Sequence, residues 1–184
     1  QQVEALLQQL LQLGDGTTTD RHTPVAVKAP GNVKLSRVSA GSIHSCAEGD
    51  NSLIYCWGNN GQGRLGNGTE TNSSTPVPVD VSALPAGVTL SGVSAAYQHT
   101  CAVGSNGSVY CWGYDGHGRL GNGESSTSLV PDSVKAPGNM TFTRVSAGHF
   151  HTCAEGTDAR IYCWGDNFGG LLGNGTIDGS SSLP

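Results

Sequence analysis

The residues with chemistry to offer are six cysteines and a repeated histidine. The cysteines fall at 46 and 56, at 101 and 111, and at 153 and 163, three pairs of one spacing. His44, His99 and His151 each stand two residues before the first cysteine of a pair, and His149 adds one more in the third copy. Such groups can close disulfides, bind a metal, or stay as buried thiols. Zinc wants four ligands, with short-range pairs closing the tetrahedron. Each copy supplies three, which opposes a metal and implies no cofactor. A hydrogen bond to a neighbouring backbone carbonyl is the simpler use of each imidazole.

The elements that position these groups read as β-hairpins. In the first copy, alternation puts Ser45 and Ala47 on one strand face and Cys46 on the other. In the return strand Ile54 and Cys56 share a face, opposite Tyr55 and Trp57. Turns at Asp50-Asn51-Ser52, Ser105-Asn106-Gly107 and Thr157-Asp158-Ala159 set each cysteine pair directly across the hairpin. The spacing therefore predicts Cys46–Cys56, Cys101–Cys111 and Cys153–Cys163 disulfides. Each would contribute roughly 2.5–3 kcal/mol in the chain-entropy account. Three such bonds imply an oxidising, extracellular compartment.

The hairpins belong to a repeat. VSAGSIHSCAEGDNSLIYCWG (38–58) returns as VSAAYQHTCAVGSNGSVYCWG (93–113) and VSAGHFHTCAEGTDARIYCWG (145–165), with the Cys-Trp pair recurring after 55 and then 52 residues. Such a period marks a propeller, solenoid or array. Trp57, Trp112 and Trp164 share one register and read as core between units. Leu65, Leu120 and Leu172, in GRLGNG or GLLGNG, read as core plugs flanked by glycines that allow tight turns and close backbone approach. Copies are divided at 13–37 (partial), 38–92, 93–144 and 145–184 (partial). The phrases LGDGTTTDRHTPVAV at 13–27 and WGDNFGGLLGNG at 164–175 are the two broken ends.

Gln1–Gln12 lies outside the repeat. Val3, Leu6, Leu7, Leu10 and Leu11 line one face of a short amphipathic helix, a capping or partner-binding segment. The remainder has no helical periodicity. With 28 glycines and only 12% charged residues, short β-branched and aromatic runs between Gly, Ser, Thr and Asn turns read as all-β. A net charge of −5 with nine scattered Lys and Arg opposes nucleic-acid binding, which needs a basic stripe. No apolar run approaches a membrane span. The glycine phrases lack Gly-Lys-Ser/Thr and are not phosphate loops. Neither a Ser-His-Asp set nor paired carboxylates recur, so no enzyme is expected. Asn67, Asn72, Asn106, Asn139 and Asn174 open Asn-x-Ser/Thr sequons, candidate N-glycan sites in a secreted protein.

The full phrase, V-S-A-G-x-x-H-[ST]-C-A to [IV]-Y-C-W-G, then G-x-L-G-N-G-T and P-V-x-V, resembles the regulator of chromosome condensation repeat over 13–184. The resemblance implies β-propeller blades, each a four-stranded antiparallel sheet, roughly seven to a closed ring. The departures are Ala96 in place of the Gly at 41 and 148, a shifted Leu129-Val130-Pro131, and a three-residue insertion within 84–91. The family's nucleotide-exchange activity depends on features outside the core repeat that have no match here. About three and a half units leave sheet edges open, which natural sheets cover or close. The rest of a ring, a second copy, or a filament could do so.

The sequence thus predicts a secreted, disulfide-stapled interaction or assembly scaffold. Its candidate binding loops are the turn tips at Asp50 and Asn51, Ser105 and Asn106, and Thr157 and Asp158, where copies vary on a common frame. The partner is another protein, or a further copy through the open blade edges. A secreted enzyme inhibitor is the alternative; nucleotide exchange or chromatin association comes next, opposed by the cysteines and the acidic charge.

Overall fold

The computed structural model describes residues 13–184; the helix expected over 1–12 lies outside them. Twelve strands form three four-stranded antiparallel sheets, each built in chain order. The first holds β1 (Leu35–Ala40), β2 (His44–Gly49), β3 (Ile54–Gly58) and β4 (Ser73–Pro78). The second holds β5 (Leu90–Ala95), β6 (His99–Gly104), β7 (Val109–Gly113) and β8 (Ser128–Ser133). The third holds β9 (Phe142–Ala147), β10 (His151–Gly156), β11 (Ile161–Asp166) and a short β12 (Ser180–Ser181). Inner strands β1, β5 and β9 lie side by side, and the sheets fan out from them as blades. The repeat phrase starts at Val38, inside β1, so a copy and a sheet begin at different residues.

The period-two pattern sets the register. Ser45 faces Trp57, Cys46 faces Cys56 and Ala47 faces Tyr55, with the same pairing in the other two hairpins. The cysteine face of one sheet packs on the tryptophan face of the next. Cys46, Ile54, Cys56, Leu65 and Val79 meet Leu90, Val93, Ala102, Tyr110 and Trp112. Cys101, Val109, Cys111, Leu120 and Val134 meet Phe142, Ala154 and Trp164. Burial of these alternating apolar residues, at about 25 cal/mol per Å², is the main force joining sheets.

Antiparallel strands put the connections on two rims. One rim carries the β1–β2, β5–β6 and β9–β10 loops and the long loops after β3, β7 and β11. The opposite rim carries the hairpin turns and the links between sheets.

Candidate functional site

The same buried polar joint recurs between each pair of neighbouring sheets. The Arg64 carbonyl accepts from the Thr100 hydroxyl at 2.8 Å and from the Trp112 indole N–H at 3.0 Å. The Arg119 carbonyl accepts from Thr152 and Trp164, both at 2.9 Å. Gly66 and Gly121 lie flat against the indoles of Trp112 and Trp164; a Cβ on either would come within 2.5 Å of the ring nitrogen. Gly14 makes the same approach to Trp57, so the leading half-copy docks on the first sheet as a full copy would. The glycine phrase is thus a seat for the tryptophan of the following sheet. Leu65 and Leu120 are fully buried beside it, while Leu172 is only half-buried.

The histidines enter the same joint, and their partner differs from the carbonyl expected. His44 Nε2 lies 2.7 Å from Thr100 Oγ1, and His99 Nε2 lies 2.8 Å from Thr152 Oγ1. Each hydroxyl gives its single hydrogen to the arginine carbonyl, so the imidazole must donate, which fixes the Nε2–H tautomer. A hydroxyl on the next sheet takes the place of a backbone carbonyl because β2 and β6 are interior strands, paired on both sides within their own sheets. Burial holds His44 neutral, its pKa pushed down to about 3, with the Arg64 charge adding to the effect. His99 is likewise held well below the usual range, chiefly by burial. His151 is shifted the same way by burial, opposed by Asp166. The Nδ1 atoms of all three are buried without a partner. Among the described residues no three His, Cys, Asp or Glu side chains converge to hold a metal.

The cysteine pairs sit side by side across their hairpins and are bonded as Cys46–Cys56, Cys101–Cys111 and Cys153–Cys163. Their Cα atoms are 4.1 Å apart in every copy, the close approach of a non-hydrogen-bonded antiparallel pair. The first two bonds are buried under the next sheet, whereas Cys153 and Cys163 are half-buried.

The turn tips are exposed but tied down. Asn51 Nδ2 donates to the Tyr55 hydroxyl at 2.9 Å, and Asn106 Nδ2 donates to Tyr110 at 3.0 Å. In the third turn the roles reverse: the Tyr162 hydroxyl donates to Asp158 Oδ2 at 2.9 Å. The Lys34 N–H donates to Asp50 Oδ1, the Thr89 N–H to Ser105 Oγ, and the Thr157 N–H to the Thr141 carbonyl. Copies that vary in residue type thus do one job. The sequons are drawn into turns as well. Asn67 Oδ1 accepts from the Thr69 hydroxyl at 2.9 Å, and Asn174 Oδ1 from that of Thr176 at 2.7 Å. The second copy makes the equivalent turn with Glu124, whose N–H donates to Asn122 Oδ1 at 3.0 Å. Asn72 Oδ1 accepts from the Asn60 N–H, and Asn139 is exposed.

The opposite rim holds a group that sequence reasoning missed. Tyr97 stacks on His149 with ring centroids 4.1 Å apart, and His149 meets Phe150 edge-on at 4.1 Å. The Arg119 guanidinium lies 5.0 Å from the Tyr114 ring and 5.4 Å from Phe150. It is held there by donating to the Gly116 and His149 carbonyls at 2.8 and 3.3 Å. Arg64 bridges the first joint in the same way, to Gly61 and Tyr97. His149 and Phe150 are exposed; Tyr97 and Tyr114 are half-exposed. The signal was present in the two positions before each His-x-Cys: Ser42-Ile43, Tyr97-Gln98 and His149-Phe150. These differ where the surrounding phrase does not.

The regulator of chromosome condensation (RCC1) repeat pattern matches residues 8–47, 51–103 and 106–154, and a second form of it matches 91–119 and 142–176. The chain belongs to the RCC1 repeat family. The match at 51–103 takes in β3 to β6, so the family's repeat couples the outer half of one sheet to the inner half of the next. Among individual relatives, the ultraviolet-B receptor UVR8 of Arabidopsis thaliana is 32% identical over 166 residues, covering 90% of this chain and 37% of the receptor. The probable E3 ubiquitin-protein ligase HERC6 of Homo sapiens is 33% identical, covering 88% of this chain and 16% of the ligase. The chain therefore spans well under half the length of these RCC1-repeat relatives. Human WBSCR16 superposes with a TM-score of 0.73 at 22% identity, covering 84% of this chain and 38% of that one. Prp20p of Saccharomyces cerevisiae superposes at 0.70 and 20%, covering 82% and 37%. These two establish the blade fold.

Proposed function

We propose that this RCC1-repeat chain is part of a secreted protein-interaction scaffold, without enzymatic activity of its own, that meets its partner on the Tyr97–His149–Phe150 rim. The observation that supports this reading is the rim itself. The recurring Trp, His and Thr side chains, the Arg64 and Arg119 carbonyls and the glycines beside them are spent on joints between sheets, and the turn tips on holding their own hairpins. The aromatic group spans two sheets, is part-exposed, and is held rigid by Arg119. Aromatic side chains carry a large share of binding energy at protein interfaces. The structure of Prp20p was described together with its binding to Gsp1p and histones, and binding to other proteins is all that this reading takes from it. Three disulfides fit an oxidising compartment outside the cytosol.

The test compares natural partners recovered by crosslinking to the full-length protein and to two variants, Y97A/F150A and D50A/N51A. Loss with the first and retention with the second supports the reading. The reverse pattern moves the binding face to the turn tips. A non-reducing peptide map of protein from its natural source checks the compartment: six free thiols would end the secreted assignment.

Assembly through the third sheet is a second reading, favoured by Ile161. It is 63% exposed, where Ile54 and Val109 at the same register are 1% and 0% exposed. A further sheet of this repeat, or another copy, would cover it. Mass in solution at rising concentration separates a monomer from an assembly.

A further inference from the structure

One buried position differs between the three sheets in a way that changes its hydrogen-bonding sign. In the first sheet Asn60 Oδ1 accepts from the Leu65 N–H at 2.9 Å. Its Nδ2 donates to Asn67 Oδ1 at 3.1 Å and to the Thr69 carbonyl at 2.9 Å. In the third sheet Asn167 repeats this, accepting from Leu172 at 3.0 Å and donating to the Thr176 hydroxyl at 2.7 Å and carbonyl at 3.3 Å. Both amides latch the long loop of their rim. The middle sheet has Asp115 instead. Its Oδ1 accepts from the Leu120 N–H at 2.8 Å, as the asparagines do. Its Oδ2, at the place of the donating amide, is buried without a partner, and the residue is 1% exposed. The loop positions that accept in the other sheets are here Asn122 and Glu124. Asn122 spends its amide on Asp132 Oδ2 at 2.7 Å, so its carbonyl oxygen remains an acceptor. An ionised Asp115 has no hydrogen to give there.

We propose that Asp115 is a proton-operated latch: a proton on Oδ2 takes the place of the asparagine amide hydrogen, and its loss loosens the long loop after β7, which seats Trp164 of the third sheet. The groups facing Asp115 agree. Asp132 from β8 and Glu124 from the loop oppose its negative charge, while the Arg119 guanidinium favours it but is drawn towards Tyr114, Phe150 and the Asp166 charge of the third sheet. Burial, the leading cause, raises the Asp115 pKa from 3.8 to about 6. The latch sits next to the joint. Leu120, which Asp115 holds, follows Arg119, whose carbonyl takes the Thr152 and Trp164 hydrogen bonds. Protonation therefore tightens the second joint and leaves the first, built on Asn60, untouched.

The experiment is NMR hydrogen exchange of the Trp112 and Trp164 indole N–H groups in the 184-residue chain between pH 5 and 7.5, each indole serving one joint. The ratio of the two rates cancels the intrinsic pH dependence of exchange. The Trp164 to Trp112 ratio is expected to rise about tenfold over this range, the change in opening expected when a carboxyl near 6 becomes free to ionise at its ordinary value. In D115N, which restores the amide, the ratio stays flat and low. A flat ratio in the unsubstituted chain overturns the proposal, as does a D115N chain that keeps the rise. Suppression of the rise by millimolar calcium at pH 7.5 would also overturn it, assigning the position to a cation in place of a proton.

Discussion

The indole N–H of Trp112 donates to the main-chain carbonyl of Arg64 at 3.0 Å, across the joint between the first and second sheets. The bond is made possible by Gly66, two residues after Arg64, whose lack of a side chain lets the ring lie against the backbone. Gly66 also has φ +69°, the left-handed region that L side chains disfavour. G66A should therefore destabilise the chain by about 2–4 kcal/mol, combining overpacking with backbone strain. G173A, with φ +64° and nothing within 4 Å, should lose only about 1–2 kcal/mol. Urea unfolding of the pair measures the difference; equal losses would show that the indole contact contributes nothing.

The hydroxyl of Thr100 accepts from His44 and donates to Arg64. T100V keeps the shape and removes both bonds, leaving a buried imidazole N–H without a partner. A loss of about 1–3 kcal/mol is expected, read from the thermal midpoint. T100S should restore most of it, since Ser45 stands at this position in the first sheet.

Acid should weaken the fold through the buried histidines. His44 titrates near 3 when folded and near 6.5 when unfolded, so the unfolded chain takes up the proton first. The stability that neutral His44 contributes is complete above pH 6.5 and falls by about 1.4 kcal/mol per pH unit below it, until the folded pKa is reached. His99 acts in the same direction. Asp115, raised to about 6, acts in the opposite direction between 3.8 and 6. Denaturant titrations from pH 7.5 to 4.5 should show a loss that sets in near pH 6.5 and is steeper in D115N; a flat profile would contradict neutral burial of the histidines.

The three disulfides should not reduce together. Cys46–Cys56 and Cys101–Cys111 are covered by the next sheet, while Cys153–Cys163 is half-buried. In the 184-residue chain under native conditions, mild thiol reductant with mass-spectrometric trapping should open Cys153–Cys163 first. Simultaneous opening of all three would mean that reduction follows global unfolding.

Ala159 occupies the third turn at φ +63°, where the second turn has Gly107 at +78°. A159G relieves that conformation and should stabilise by roughly 0.5–1 kcal/mol, the gain being reduced by the freer unfolded chain. Chemical denaturation checks it.

The sequence by itself determined the sheets and their covalent staples. Alternation of apolar and polar residues fixes which side chains share a face. A turn centred midway between two cysteines ten residues apart puts them opposite one another, so local spacing is enough to place Cys46 beside Cys56. The same reasoning brought Trp57, Trp112 and Trp164 to one register and Leu65 and Leu120 to the core. Tertiary structure decided everything between sheets. His44 meets Thr100, 56 residues away, and the recurring His-x-Cys phrase offers no hint of which copy answers which. The turn tips read as free loops because their ties to Tyr55, Lys34 and Thr141 are made across strands. Asp115 carried no signal in the sequence, because the missing donor is visible only against Asn60 and Asn167 in three dimensions. Register follows from chain-local geometry, whereas contacts between sheets depend on how twisted surfaces stack, and no short-range spacing encodes that.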